Sequence, residues 1–134
     1  MSRNKIQNRK KMKKLFLMAT MLLMFGAANA QIAEVKIDGV FAKIYNDQGK
    51  YTGKYIGLSR DMEVSGYNSK YIVITDGVFA KIYDDQGKYT GKYIGLSRDM
   101  YVKNVSVTAI LIKDGVFTKY YDFNGKYTGK YTSN

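Results

Sequence analysis

The tetrapeptide Asp-Gly-Val-Phe occurs at residues 38–41, 76–79 and 114–117, a constant spacing of 38 residues. The chain around it repeats as well. Between Asp38–Met62 and Asp76–Met100 the only difference is Asn46 against Asp84, and the third copy keeps Gly125-Lys126-Tyr127-Thr128-Gly129-Lys130-Tyr131. A fixed period of this length means that one supersecondary unit is multiplied and that each copy buries its apolar face against a neighbour. The fold therefore has to be an array of copies or a pseudo-symmetric closure of them.

Each copy reads as antiparallel β-structure. Val40–Tyr45 is rich in β-branched and aromatic residues, which suit strands. Asn46-Asp47-Gln48-Gly49-Lys50 has the chemistry of a type I turn closed by a left-handed glycine, so Tyr51–Ile56 runs back. Asp38-Gly39 predicts a second, two-residue hairpin turn. The expected unit is a meander with strands at 32–37, 40–45 and 50–57, and Gly57–Met62 as a connector. Glu63-Val64 and Tyr101-Val102 are expected to add short extra strands. The fold class is thus all-β, with three antiparallel meander or hairpin repeats at about 31–67, 68–105 and 106–134 in a single domain. They form an open array or a pseudo-three-fold closed arrangement, with a β-trefoil-like closure as the alternative.

Register sharpens this picture. Closing the Gly49 loop sets Tyr45 opposite Tyr51, Phe41 opposite Tyr55 and Lys43 opposite Gly53, all on one face. The Asp-Gly turn places Lys36 beside Phe41 on that face. Gly53, Gly91 and Gly129 are expected to leave room for a neighbouring ring. Val35, Val40, Ala42, Ile44 and Ile56 take the opposite face. Glu34 and Lys36 stand where later copies have Ile72 and Ile74, then Ile110 and Ile112. Polar residues there suit the exposed end of an array, so they read as an amino-terminal cap.

Residues 1–30 carry seven of the 22 Lys and Arg and none of the 11 Asp and Glu. A basic stretch, an apolar run from Leu15 to Phe25 and the small-x-small triplet Ala28-Asn29-Ala30 make up a secretory signal peptide, with cleavage expected before Gln31. The apolar run is shorter than the roughly 20 residues a helix needs to cross a bilayer. An exported protein, periplasmic or extracellular and without a membrane span after cleavage, is the expectation. The remainder carries 15 basic against 11 acidic residues, a net of +4. That mild balance argues against a nucleic-acid partner, although lysines alternate with tyrosines.

The chain has no His and no Cys. Ser-His-Asp and Cys-His catalysis, zinc fingers and disulfides are therefore excluded. The acidic turns at Asp47, Asp84-Asp85 and Asp122 fall short of the oxygen ligands a calcium loop needs, so no metal or other cofactor is expected. Asp38 with Asp61, or Asp76 with Asp99, is the recurrent carboxylate pair that an Asp-dependent secreted hydrolase could use, and this is kept as an alternative. The favoured reading is a non-catalytic exported binding or structural module at the cell envelope. Its candidate ligand-binding residues are Tyr45, Tyr51, Tyr55, Tyr83, Tyr89, Tyr93, Tyr121, Tyr127 and Tyr131, whose rings could stack on a carbohydrate or peptidoglycan or hold a protein partner. Self-association into a homo-oligomer is a further use for such a face. The simpler expectation is that these rings fill the core, because aromatic side chains bury large areas.

The pattern Asp-Gly-x-x-x-Lys-x-Tyr-Asp-x-x-Gly-Lys-Tyr-x-Gly-Lys, clearest from Asp76 to Lys92, resembles the short β-hairpin repeats of secreted bacterial proteins. It is most similar to the β-flower-type families, in which such hairpins are arranged around an axis. The signal peptide and the Lys-Tyr-rich style look like those of secreted Bacteroidota proteins. The resemblance covers residues 38–56, 76–94 and 114–131, and it implies a repeat fold without naming functional residues.

Overall fold

The computed structural model describes residues 31–133. The segment read as a signal peptide lies outside the described residues. Eleven strands form three antiparallel sheets. Sheet 1 contains β1 (Glu34–Asp38), β2 (Phe41–Tyr45) and β3 (Tyr51–Gly57). Sheet 2 contains β4 (Met62–Tyr67), β5 (Tyr71–Asp76), β6 (Phe79–Asp84) and β7 (Tyr89–Gly95). Sheet 3 contains β8 (Met100–Val105), β9 (Ile110–Asp114), β10 (Phe117–Tyr121) and β11 (Tyr127–Ser133). In each sheet the strands lie side by side in chain order. The three sheets form an open array. The extra strands expected at Glu63-Val64 and Tyr101-Val102 are β4 and β8, and each opens the sheet that follows it, so the sheets divide at the connectors after Gly57 and Gly95.

Both turn types form, with one shift. Asn46 and Lys50 pair across the longer loop, Gly49 N–H donates to the Asn46 carbonyl at 3.0 Å, and Gly49 takes φ 75°. Asn46 Oδ1 also accepts the backbone N–H of Gln48 and Lys50. Asp84 and Asp122 do the same in the later copies. Turn chemistry of this kind needs a side-chain oxygen two residues ahead and is indifferent to Asn or Asp. The shorter turn falls one residue later than Asp-Gly suggests. Asp38 pairs with Phe41, so Gly39-Val40 forms the loop and Lys36 faces Lys43.

The second correction concerns Gly53. Tyr45 does face Tyr51, but the register then slips by two, so Lys43 faces Tyr55 and Phe41 faces Gly57. The extra residues are Thr52 and Gly53, and Gly53 sits at φ 85° with nothing within 4 Å of a Cβ built on it. Its glycine is a requirement of backbone conformation, not of space for a ring. The bulge leaves the Ile44 carbonyl without its ladder partner. Thr52 Oγ1 donates to it at 2.8 Å and accepts the Lys54 N–H. Thr90 and Thr128 repeat the arrangement. Because the slip is even, the tyrosines keep their face.

Strand alternation gives each sheet two faces, and the stack is built by laying one on the next. Ala42, Ile44 and Ile56 of sheet 1 pack on Ile72 and Ile74 of sheet 2. Ala80, Ile82 and Ile94 of sheet 2 pack on Ile110 and Ile112 of sheet 3. These are equivalent positions, so one interface is used twice. The outermost faces are where the pattern changes. Glu34 and Lys36 are exposed on sheet 1. On sheet 3, Thr118, Tyr120 and Thr132 replace Ala80, Ile82 and Ile94. That face of sheet 3 is thus more polar than its counterparts, with Thr132 exposed and Thr118 buried.

Candidate functional site

On each sheet the hairpin beyond the stacked core carries an aromatic group on the face shared by Phe41, Tyr45, Tyr51 and Tyr55. Tyr45 leans on Tyr51 with ring centroids 5.6 Å apart, and Phe41 meets Tyr55 edge-on at 5.2 Å. The second pair follows from the bulge. Phe41 stands opposite Gly57, which has no side chain, so its ring reaches the diagonal neighbour Tyr55. Tyr83–Tyr89 and Phe79–Tyr93 repeat this in sheet 2, and Tyr121–Tyr127 and Phe117–Tyr131 in sheet 3.

A lysine lies in the middle of each group. Lys43 Nζ donates to Asp38 Oδ2 at 2.6 Å and sits 5.3 Å from the centre of the Tyr51 ring. Lys81 takes the same place between Asp76 (2.8 Å) and Tyr89 (5.5 Å), and Lys119 between Asp114 (2.8 Å) and Tyr127 (5.6 Å). The hairpin turn explains the pairing. Asp38 closes the Gly39-Val40 loop opposite Phe41, and Lys43 is two residues further along the same face. The hydrogen bond to the aspartate holds all three lysines protonated above their ordinary range. Burial pushes the Tyr83 and Tyr121 hydroxyls up as well.

Exposure divides the nine candidate tyrosines. Tyr83 and Tyr121 pack partly against the inter-sheet cores, and Tyr45 is half-buried. Tyr51, Tyr55, Tyr89, Tyr93, Tyr127 and Tyr131 are exposed, between 41% and 57%. The expectation that the rings fill the core therefore holds for Tyr83 and Tyr121 and fails for these six. Tyr51 and Tyr55 lie on the outer face of sheet 1 with Lys36 and Lys43, and on sheets 2 and 3 the apolar contacts with the preceding sheet are made by Ile72, Ile74, Ile110 and Ile112 rather than by the β7 and β11 tyrosines. Phe41, Phe79 and Phe117, with Lys43, Lys81 and Lys119, belong to the same groups and were absent from the tyrosine set drawn from sequence. Their signal is the Asp-Gly-Val-Phe-x-Lys spacing, once the turn is placed at Gly39-Val40.

The backbones of the recurrent aspartates are linked from one copy to the next. Gly77 N–H donates to the Asp61 carbonyl at 3.2 Å, and Gly115 N–H to that of Asp99 at 3.3 Å. The backbone of Asp61 is thus tied to the Asp76 turn and that of Asp99 to the Asp114 turn. Asp76 and Asp114 are each held by a lysine. Among the described residues, no three His, Cys, Asp or Glu are grouped so as to hold a metal ion.

Comparison with protein-family models, with curated proteins and with solved structures finds no match to this chain.

Proposed function

We propose that the protein is an exported, non-catalytic binding module that holds an extended envelope glycan, peptidoglycan being the first candidate, on its repeated aromatic face. One observation carries the reading. Tyr51 and Tyr55 on the outer face of sheet 1, and their copies Tyr89, Tyr93, Tyr127 and Tyr131 on the equivalent faces of sheets 2 and 3, are all open to solvent. An exposed aromatic cluster is costly to keep unless something covers it. Tyrosine suits a sugar ligand, since it offers a flat apolar surface and a hydroxyl, and the adjacent Lys-Asp pair adds a donor and an acceptor. Three copies in one chain give weak sites the benefit of linkage. Asp76 and Asp114, engaged with Lys81 and Lys119, lend little to the hydrolase alternative.

The test is co-sedimentation with purified peptidoglycan. Tyr89→Ala combined with Tyr93→Ala removes the central cluster and touches no buried position, so the variant should melt close to the parent. Its retention on the insoluble glycan should fall by about tenfold or more, because the middle of three linked contacts is lost. A folded variant that sediments as well as the parent would end this reading.

A further inference from the structure

Among the described residues, sheets 2 and 3 have four strands and sheet 1 has three, and none of them pairs with the outer side of β1. In sheet 2 the equivalent side is taken by β4, antiparallel to β5, and in sheet 3 by β8, antiparallel to β9. The difference shows in the side chains. Asp38 is 67% exposed where Asp76, beside β4, is 27%, and Ile37 is 57% exposed.

The backbone of β1 is in phase to receive a strand. Asp38 and Phe41 close a two-residue loop and so hydrogen-bond to each other, and alternation gives Lys36 and Glu34 the same inward role. Val35 and Ile37 consequently turn their N–H and C=O groups away from β2. Their counterparts in sheet 2, Val73 and Thr75, are the residues that face Gly66 and Glu63 of β4. Beside the β1 edge lies a groove of about 440 Å³, with Ile37 and Val40 on one side and Met62 and Val64 of β4 on the other. Further down the stack the equivalent place holds a strand. There β4 runs against β8 so closely that a Cβ on Gly66 would come within 2.7 Å of Val105 Cγ2.

We infer that this edge and groove take up an extended segment of a partner protein, which adds to sheet 1 as its fourth strand, antiparallel to β1. Main-chain hydrogen bonds to Val35 and Ile37 supply the affinity, and the groove selects side chains. The segment carries small or apolar residues at the alternate positions that point toward Met62 and Val64. On its outer side it carries basic residues opposite Glu34 and Asp38 and an acidic one opposite Lys36, because unlike charges across a ladder stabilise it. A second copy offering its own β1 fits less well, since it would bring its own β4 into the same groove.

A synthetic peptide copying residues 62–70, Met-Glu-Val-Ser-Gly-Tyr-Asn-Ser-Lys, serves as probe, because the sheet 2 strand is the protein's own solution to this geometry. At saturating peptide, hydrogen exchange at the Val35 and Ile37 amides should slow by about tenfold or more, with Val73 and Thr75 unchanged. The same peptide N-methylated at its second and fifth residues lacks the facing donors and should protect neither amide. Ile37→Lys places a charge in the groove without touching an internal backbone bond, and should lose the peptide while melting normally. The inference is overturned if no concentration of peptide slows the two amides, or if the N-methylated peptide protects them equally. It is also overturned if they are already protected in a concentration-dependent dimer, which would make a second copy the occupant.

Discussion

Lys36 and Ile74 occupy the same place in successive copies, one on the outer face of sheet 1 and one between sheets 1 and 2. Lys36 is exposed, with its ammonium 4.6 Å from the centre of the Tyr45 ring, and Ile74 is fully buried. The hairpin glycines make the same contrast in the backbone. Gly49 and Gly87 have nearly equal φ, 75° and 79°. A Cβ on Gly49 would meet nothing within 4 Å, whereas one on Gly87 would come within 2.7 Å of the Tyr55 carbonyl oxygen of the preceding sheet. Local sequence is nearly constant along this chain, so what differs is whether a neighbour lies underneath. Turn geometry is a property of the unit, and packing is a property of its position in the stack.

Exchanging residues between equivalent positions should break the symmetry most strongly at the buried site. Ile74→Lys places an unpaired charge between two sheets and should cost more than about 4 kcal/mol, a large part of a small domain's stability. The reciprocal Lys36→Ile should stay within about 1 kcal/mol, since it loses an exposed cation–ring contact and gains no burial. Urea unfolding of the two variants decides, and similar losses would mean that sheet 1 is covered after all.

A smaller separation is expected at the glycines. Gly49→Ala should cost about 1 kcal/mol for the left-handed backbone alone. Gly87→Ala adds a backbone clash and should cost about 2–4 kcal/mol. Melting curves that shift by the same amount for both would show that the Tyr55 contact is not held in solution.

The gentlest probe is alkali. Tyr83 and Tyr121 titrate above their unfolded value when folded, as do Lys43, Lys81 and Lys119. A folded pKa above the unfolded one adds stability that is complete below the unfolded value and is lost as pH rises through the folded one. Stability should therefore be flat through neutral pH and decline above about pH 10, where unfolded tyrosine and lysine release their protons. Tyrosinate absorbance followed beside circular dichroism tests this. Tyr83→Phe should soften the decline.

Much of the unit was legible in the sequence. The period, the Asn46–Lys50 loop and the Tyr45–Tyr51 pair rest on interactions between near neighbours, which leave a signature in residue type. The slip at Thr52-Gly53 was not, because a glycine within a strand reads equally as a small side chain or as a bulge until the orphaned Ile44 carbonyl is considered. The place of β4 was hidden for a related reason. Ser65 forms a second bulge, against Ile74 and Val73, and breaks the alternation that would have extended the strand beyond Glu63-Val64. Tyr51 and Tyr55 are exposed because theirs is the outer face of sheet 1, and Tyr89 and Tyr93 because Ile72 and Ile74 make the contact with sheet 1, a division of labour that no residue within a unit records.

Since the interface between sheets 1 and 2 uses the same positions as that between sheets 2 and 3, the molecule has a grammar of three words: a first, a middle and a last. The middle one has both faces apolar and both hairpin contacts engaged, so it can follow itself. Inserting a second copy of residues 62–99 after Asp99 would give a four-sheet protein with unchanged ends and one more aromatic group. Moving Thr118, Tyr120 and Thr132 inward would stop the stack wherever they were placed. Gene duplication could thus tune the reach of this protein by whole units, with a handful of side chains at either end acting as punctuation.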